Sequence, residues 1–524
     1  MKAVARPFSV ALICAVLASC GGGDSRHSLT TTGGSGGSSL QMEGDGTSQN
    51  PGTTPTASSV AALCANPRTG TDPATGAAYP DRPGTLATEK SWVRAWIDDT
   101  YLWYDEVPGN LQASAFSTPQ AFFDVLKTPA TTASGQPKDR FHYAIPSASW
   151  QSSVEGSGTV GYGMEIAILS ELPPRVVRVA YVTPGSPAAA AGILRGDRVV
   201  TLDGTDVANG SADALNAALF PSNVGESHTV TVSNGAGPRS VTLTAASVVP
   251  QPVMNVTTLS TSGGPVGYLQ FNDHNEQAET QLAAAMQKFQ TDGVTGLVLD
   301  LRYNGGGLLG IASELAYMVA GSTSTQGKTF EKLVTNRKNP YGFTEEETIM
   351  PFMATAVGYS MPAGQSLPSL GLRKVTVLAG PDTCSASESL VNSLRGIDLE
   401  VNLVGGATCG KPYGFFPEDN CGTTYLAINF QGVNAKGFGD YGDGMAPTCV
   451  VADDFDHQLG NPSEARLAAA LTMLQPGGAC PAPTSSSSGA GLQKSGATLK
   501  ENKYLRRDPL REIKRLDLRV QPRA

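Results

Sequence analysis

Between residues 265 and 475, apolar segments that fit strands alternate with segments that fit helices. The predicted strands are 266–271, 296–301, 375–379, 401–404 and 424–430, and predicted helices include one marked by Leu282, Met286 and Phe289, one over 308–318 and one over 385–394. Strands that alternate with helices are typical of an α/β layer fold with crossover connections. The pattern therefore predicts a layered α/β core in the second half of the chain.

The preceding residues follow two other patterns. Trp92, Trp96, Leu102 and Trp103 suit one amphipathic helix closed by Pro108, and a second cluster of Phe122, Phe123 and Leu126 suggests another. Residues 158–250 instead contain short alternating segments such as 229–232 and 240–243, which predict strands. The whole chain is predicted to be a multidomain α+β protein, with a small helical domain and a β-rich domain ahead of the α/β core.

The amino-terminal end has the pattern of a targeting segment. Lys2 and Arg6 precede an apolar run over 8–17 that is too short to span a bilayer as a helix. The sequence Leu-Ala-Ser-Cys ending at Cys20 resembles a bacterial lipoprotein signal, which implies a signal over 1–19 and lipidation of Cys20. The alternative is an ordinary secretory signal with a chance cysteine. Position 21 is Gly rather than Asp, which by resemblance to Gram-negative lipoproteins implies the outer membrane of the bacterial cell envelope, facing the periplasm.

Composition predicts disorder at both ends of the chain and argues against some classes of partner. Residues 20–60 are rich in Gly, Ser and Thr and predict a disordered tether, and 481–524 predict a disordered basic tail. The net charge of −9 and the pI near 5.2 argue against nucleic acid as the main partner. With no Cys-x-x-Cys and five His, neither a metal site nor another cofactor is expected.

Three polar or glycine-rich segments follow predicted strands of the α/β region. They are DLRYNGGGL at 300–308, TCSASESL at 383–390 and TCGKPYG at 408–414. Because catalytic groups collect at the carboxyl ends of parallel strands, the three segments are expected to converge. Ser385-x-x-Glu388 also matches a capping box, so Ser385 is a helix cap, a nucleophile or both.

Two sets of motifs resemble known families. Gly161-Tyr162-Gly163-Met164, followed by PGSPA at 184–188 and GDRVV at 196–200, resembles a PDZ domain. With DLR-x-N-x-GG, SASE and a Gly-Lys pair downstream, residues 88–475 resemble the S41 serine peptidases, or C-terminal processing peptidases. The resemblance implies a helical domain over 61–155, a PDZ domain over 156–250 and a crotonase-like peptidase domain over 251–480.

The S41 resemblance also implies roles for individual residues. Ser385 would be the nucleophile and Lys411 the general base, with an oxyanion hole formed by the N–H of Ala386 and that of Gly306 or Gly307. The PDZ loop 161–164 would bind the tail of an exported protein, which the enzyme would cleave near its C-terminus. Phe415 occupies the position where many bacterial members have a Gln that orients the Lys. Either another group holds Lys411, the dyad works alone, or activity is lost.

Two further functions and several disulfide pairings remain open. One alternative to the peptidase is an inactive PDZ scaffold that binds protein C-termini. The other is a Ser-His-Asp hydrolase that uses Asp273 and His274. Removing Cys14 and Cys20 leaves six cysteines, an even number that suggests disulfides in an exported protein. A Cys384–Cys409 bond would link the Ser385 turn to the Lys411 turn. The main rival is Cys409–Cys421, with Cys64–Cys480 closing the folded region.

Overall fold

A computed structural model describes residues 55–73 and 75–481. The predicted signal at 1–19, the lipidation site Cys20 and the basic tail beyond residue 481 lie outside these residues. The end of the predicted tether lies inside them, and there the prediction is wrong. Ala57–Val60 form a helical turn, α1, because Ala57 and Val60 can pack against a cluster of buried aromatic side chains. In the described part of the chain, no helix is both long and apolar enough to cross a membrane.

The amino-terminal region is built around one long helix. Its elements are α1, β1 (Leu63–Cys64), β2 (Arg82–Pro83), α2 (Leu86–Thr100), α3 (Pro119–Phe123), β3 (Tyr143–Pro146) and α4 (Ser147–Glu155). Trp92 and Trp96 stack on one buried face of α2. The helix ends at Thr100 rather than near Pro108, so Leu102 and Trp103 lie beyond it. The N–H of Leu102 donates to the carbonyl of Ile428 instead, a tertiary contact that the local pattern could not predict.

The next region is the predicted β-rich domain. It contains β4 (Thr159–Gly161), β5 (Met164–Ser170), β6 (Val176–Val182), α5 (Pro187–Ala190), β7 (Arg198–Leu202), β8 (Thr205–Asp206), α6 (Ala212–Leu219), β9 (Ser227–Asn234), β10 (Gly237–Thr244) and β11 (Ala246–Val248). The main sheet has the order β10-β9-β7-β6-β5, with β8 paired to β7, while β4 pairs with β11. Apolar side chains of these strands and of α6 form a core of their own.

The carboxy-terminal region contains the α/β core. Its elements are β12 (Val253–Thr261), β13 (Gly264–Phe271), α7 (Ala278–Thr291), β14 (Gly296–Asp300), α8 (Leu309–Ala320), α9 (Ser322–Thr325), β15 (Thr329–Thr335), β16 (Ile349–Pro351), β17 (Lys374–Ala379), α10 (Ala386–Gly396), β18 (Glu400–Gly405), β19 (Tyr413–Gly414), β20 (Glu418–Asn420), β21 (Thr423–Leu426), β22 (Phe430–Val433), β23 (Cys449–Val450) and α11 (Ala465–Leu474).

The central sheet has the order β12-β13-β14-β17-β18-β23 and is parallel from β13 onward. All five residues of β14 are buried because α7, α8 and α10 cover one face of the sheet and α11 covers the other. The strands β14, β17 and β18 are neighbours, so their carboxyl ends lie side by side at one edge of the sheet.

The predicted strand over 424–430 is wrong, since these residues belong to two strands. β21 pairs with β20 and β3, whereas β22 pairs with β15 and β19 in another small sheet. Asn429, between them, accepts the N–H of Phe416 on its side-chain oxygen and donates to the carbonyl of Thr100. These buried side-chain contacts hold the chain between the two sheets.

The amino-terminal region shares a core with the carboxy-terminal region. β3 pairs with β21, and Trp92, Trp96 and Phe123 belong to the same buried cluster as Phe415 and Tyr425. The helices therefore pack directly against the loops that follow the central sheet. A boundary at residue 155 separates elements along the chain but does not separate two cores.

All six remaining cysteines form disulfides: Cys64–Cys421, Cys384–Cys409 and Cys449–Cys480. The predicted pairing of Cys384 with Cys409 is present. The alternatives Cys409–Cys421 and Cys64–Cys480 are wrong, because β1 lies beside the β20–β21 hairpin, where Cys421 is close to Cys64. The segment after α11 is instead joined to β23 by the bond between Cys480 and Cys449.

Candidate active site

Ser385 lies in a strained turn between β17 and α10. It is the N-cap residue of α10 and has φ 57° and ψ −118°, a backbone conformation that is rare for a residue with a side chain. Its Oγ is buried and has no hydrogen-bond partner among the described residues. The carboxylate half of the predicted capping box forms, since the N–H of Ser385 donates to Oε2 of Glu388 at 3.0 Å. The Ser385 turn is thus held through its backbone N–H.

Glu388 connects the Ser385 turn with the Lys411 loop. Its fully buried carboxylate accepts hydrogen bonds from the N–H groups of Ser385, Gly410 and Lys411 and from Oγ1 of Thr408, at 2.5 to 3.0 Å. Burial raises the pKa of this carboxyl, and the four donors oppose the rise because they favour the ionised form. One carboxylate therefore holds both segments, a role that the capping-box interpretation did not include.

The glycine turn after β14 lies against Ser385. A Cβ on Gly306, which has φ +100°, would be 2.8 Å from Cβ of Ser385 and 3.0 Å from N of Ala386. The N–H of Gly306 already donates to Oδ1 of Asn304 at 2.9 Å. Gly307 has φ +136°, and a Cβ there would be 2.8 Å from the carbonyl oxygen of His274. Both positions require glycine, for the backbone conformation and for the close approach.

A network of buried ion pairs holds Arg302, which lies just before the glycine turn. The Arg302 guanidinium contacts Asp300, Asp453 and both carboxylate oxygens of Glu464 at 2.6 to 2.9 Å. Arg195, from the β-rich domain, donates at 2.7 Å to the same oxygen of Asp453 that Arg302 contacts. Ion pairs of this kind fix orientation because leaving one partner uncompensated in the interior is costly. The turn is therefore supported by residues from three distant parts of the chain.

Lys411 is fully buried beside two aromatic rings. Its Nζ lies 4.1 Å from the ring centroid of Phe415 and 5.6 Å from that of Phe141. Arg140, next to Phe141, donates to the carbonyls of Cys409, Gly410 and Gly442 at 2.6, 3.3 and 3.1 Å. The amino-terminal region therefore supplies part of the surroundings of Lys411.

The disulfide Cys384–Cys409 joins the residue before Ser385 to the residue two before Lys411. The two Cα atoms are 5.1 Å apart, and the N–H of Cys409 donates to the carbonyl of Thr383 at 3.0 Å. Cys384, Glu388 and Cys409 are also close enough together for a metal site. Both sulfurs are already bonded to each other, however, and the carboxylate holds four donors, so the donor set does not fit a metal.

We expect loss of this disulfide to reduce activity more than loss of another one does. The variant with Cys384→Ala and Cys409→Ala should lose at least about tenfold in kcat, because small displacements of reacting groups are costly. The matched control, with Cys449→Ala and Cys480→Ala, opens a loop of similar length that contains neither Ser385 nor Lys411. Its loss of stability should be similar, about 3 kcal/mol by loop closure, while kcat is kept. Equal loss of kcat in both variants would contradict a role for the bond in holding the site.

Asp273 and His274, the alternative catalytic pair, lie beside the glycine turn. The N–H and carbonyl of His274 pair with the carbonyl of Gly306 and the N–H of Leu308. Its Nδ1 lies 3.0 Å from Oδ1 of Asn304, which also accepts the N–H of Gly306. His274 therefore supports the turn through its backbone, and its Nδ1 faces an amide oxygen rather than the carboxylate that a Ser-His-Asp triad uses.

The predicted peptide-binding loop joins β4 to β5. Gly161 ends β4, Met164 begins β5, and the ring of Tyr162 is buried with its hydroxyl donating to the carbonyl of Ala218 in α6. Gly163 has φ +69°, and a Cβ there would lie 2.3 Å from Cβ of Ser186. The loop is therefore fixed to both α6 and the segment before α5. β5 is the last strand of the main sheet.

Several residues of this site have weak or no signals in the sequence. Glu388 is visible in the SASE motif, but its contacts with Gly410 and Lys411 depend on the fold. Arg140 and Phe141 precede Lys411 by about 270 residues and belong to no motif that was identified. Asn304 is part of the glycine motif, and only the structure reveals that its side chain holds Gly306.

Comparison with known proteins gives matches over the same regions. Family models match at 265–415 (Peptidase family S41), 88–143 (Peptidase S41 N-terminal domain) and 178–233 (PDZ domain). The carboxyl-terminal-processing protease of Picosynechococcus is 30% identical over 253 residues, which are 48% of this chain and 54% of that protein. That of Synechocystis is 28% identical over 254 residues, 48% of this chain and 52% of that protein. The chain thus spans about half the length of these relatives.

One solved structure supports the fold. A structure from Bacteroides fragilis assigned to the S41 proteases has a TM-score of 0.57 at 23% identity and covers 75% of this chain and 97% of that chain. The S41 match ends at Phe415 and thus includes the strand ends, Ser385 and Lys411. Residues 265–415 thus form a peptidase family S41 region, preceded by regions that match the S41 N-terminal domain and a PDZ domain.

Proposed function

We propose that the chain is a serine peptidase in which Ser385 is the nucleophile and Lys411 the general base. The observation that carries this proposal is the connection of their two segments by the Glu388 carboxylate and the Cys384–Cys409 bond. Lys411 is fully buried, and burial favours the neutral amine that a general base requires. The Oγ of Ser385, which has no hydrogen-bond partner in the described part of the chain, is available for deprotonation.

In the proposed reaction, Oγ of Ser385 attacks the scissile carbonyl carbon and its proton moves to Nζ of Lys411. The carbonyl oxygen becomes an oxyanion, and collapse of this intermediate expels the amine, which takes the proton from Lys411. A water molecule then hydrolyses the acyl-enzyme in the reverse sense. Lys411 thus serves first as a base and then as an acid.

For the oxyanion we propose the N–H groups of Ala386 and Gly307. Ala386 is the first residue of α10, and the first N–H groups of a helix have no acceptor within the helix. Gly306 and Gly307 were equivalent candidates in the sequence. The bond from Gly306 to Asn304 favours Gly307, since an oxyanion on Gly306 would have to displace it. Each donor of this kind contributes about 3 kcal/mol to transition-state stabilisation.

The proposed substrates are exported proteins that are bound by their C-terminal tails and cleaved near them. β5 ends its sheet, so a substrate strand can pair with its outer edge. The loop over 161–164 stands at the start of β5, where backbone N–H groups can bind a terminal carboxylate. The relatives named above carry the word carboxyl-terminal in their names, which agrees with this substrate class.

Cleavage of casein by Lys411→Ala and His274→Ala tests the mechanism. We expect Lys411→Ala to lose activity by at least about 10³-fold, while His274→Ala keeps measurable cleavage. Retained activity in Lys411→Ala together with loss in His274→Ala would favour the Ser-His-Asp alternative. A wild-type protein that binds C-terminal peptides without cleaving any substrate would instead support the inactive PDZ scaffold.

We also propose that lipidation of Cys20 anchors the protein to a membrane. Cys20 lies outside the described residues. Cys20→Ala should move the protein from the membrane fraction to the soluble fraction, because a lipid-modified cysteine is the anchor that the amino-terminal sequence indicates. Fractionation followed by immunoblotting measures this. Membrane association that survives the change would implicate the basic tail.

A further inference from the structure

We infer that Phe415 and Phe141 form an aromatic clamp that holds the ammonium form of Lys411 and thereby sets the pH range of catalysis. This inference rests on the proposed role of Lys411 as the base. The clamp consists of these two rings, one from the peptidase region and one from the amino-terminal region. Both are buried, and Nζ of Lys411 lies 4.1 Å from the centroid of Phe415 and 5.6 Å from that of Phe141.

The faces of aromatic rings attract cations, and the attraction is larger where water is excluded. A ring at 4.1 Å therefore stabilises the protonated form of Lys411, whereas burial of the amine stabilises the neutral form. The ring also favours the transition state, because Nζ gains a positive charge as it takes the proton of Ser385. Phe415 thus acts as a positioning residue.

The two rings are fixed independently of Lys411. Phe415 is fully buried in the aromatic cluster of the amino-terminal region. Phe141 follows Arg140, whose guanidinium contacts the carbonyls of Cys409, Gly410 and Gly442. The amino-terminal region is thereby attached to the loop that carries Lys411. The geometry assigns this region a part in the base site, in addition to its part in the core.

The titration of Lys411 can be distinguished from that of other titratable groups near it. Glu388 accepts the backbone N–H of Lys411, and burial raises the pKa of its carboxyl. Burial raises the pKa of Tyr413 to about 12, so it stays neutral over the working range. Burial of Asp139 is outweighed by its hydrogen bonds with His142 and Tyr101, which hold its pKa at about 2. Arg140 donates to backbone carbonyls, and His142 contacts the carbonyl of Phe123.

The test measures the rate at which a fluorophosphonate probe labels the full-length protein as a function of pH. In this reaction Oγ of Ser385 bonds to phosphorus, fluoride leaves, and the Oγ proton goes to the base. The fall of the labelling rate at low pH, here called the acid limb, therefore reports the pKa of the base. The variants are Phe415→Leu, Phe141→Leu and, as the matched control, Phe416→Leu. Phe416 is buried beside Phe415 but packs in a different cluster, with Leu333 and Phe430.

We expect the acid limb of Phe415→Leu to move to lower pH by about one unit, with a several-fold lower plateau. Phe141→Leu should give a smaller shift in the same direction, since its ring is farther away, and Phe416→Leu should give none. An unmoved limb in Phe415→Leu, or an equal shift in Phe416→Leu, would overturn the inference. If Phe415→Leu does not fold, as judged by thermal unfolding, an unmoved limb in Phe141→Leu overturns it.

The same probe separates this inference from the proposed function. Wild-type labelling that is absent in Ser385→Ala and in Lys411→Ala supports the dyad, whatever the limb does in Phe415→Leu. Wild-type protein that is not labelled at Ser385, or labelling that persists in Lys411→Ala, contradicts the proposed function itself.

Discussion

Ser385→Ala is expected to abolish peptidase activity and leave the thermal midpoint unchanged within a few degrees. Removal of a serine nucleophile that acts with a base costs on the order of 10⁶ in kcat. A capping serine would lose about 1 kcal/mol of stability as well. Within residues 55–73 and 75–481, Oγ has no hydrogen-bond partner, so its removal sacrifices no hydrogen bond there.

Ser385→Gly is the matched variant for this position. It also removes the hydroxyl, but glycine adopts φ 57° without steric cost, so we expect the thermal midpoint to rise relative to Ser385→Ala. Casein cleavage and differential scanning calorimetry measure both quantities. Wild-type cleavage by either variant would refute the nucleophile assignment, and a clear loss of stability in Ser385→Gly would refute the account of backbone strain.

Glu388→Gln is expected to reduce both stability and activity strongly. The carboxylate accepts four hydrogen bonds, two on each oxygen, from the segments of Ser385 and Lys411. An amide of the same shape presents N–H groups on one side, so two buried donors lose their acceptor and face another donor. Unsatisfied buried donors cost about 1–3 kcal/mol each, which predicts a destabilisation of about 2–6 kcal/mol.

The control for Glu388→Gln is Thr408→Val, which removes one of the four donors and the acceptor of the Met445 N–H, but keeps the carboxylate and its three backbone donors. It should lose at most about 3 kcal/mol and retain most of the activity. Thermal unfolding and the kcat of casein cleavage distinguish the two variants. If Glu388→Gln matches the wild type in both measurements, the carboxylate is not what holds the two segments together.

The arrangement of the site links activity to the integrity of the amino-terminal region. Trp92 and Trp96 pack in one cluster with Phe415, and Arg140 contacts the carbonyls before Lys411. In a chain with these contacts, the helices ahead of the PDZ domain cannot be removed without exposing the surroundings of Lys411. The carboxy-terminal region alone therefore lacks part of the environment of this side chain.

The sequence by itself determined the elements and the chemistry that lie close together along the chain. Buried strands such as 296–300 contain continuous apolar runs, and the amphipathic spacing of α7 and α10 is local, so both were predictable. The glycine turn, Ser385 and Lys411 each follow a strand, and parallel strands place their ends at one edge of a sheet. The convergence of the three segments followed from this rule.

Tertiary structure decided what no local pattern encodes. α2 ends at Thr100 because Leu102 bonds to Ile428, more than 300 residues away. Cys64 pairs with Cys421 because two small sheets bring them together, and the spacing of cysteines cannot select one of fifteen pairings. The ring of Phe141 lies beside Lys411 for the same reason. Contacts between distant residues depend on how all the layers pack, and packing is a property of the whole folded chain.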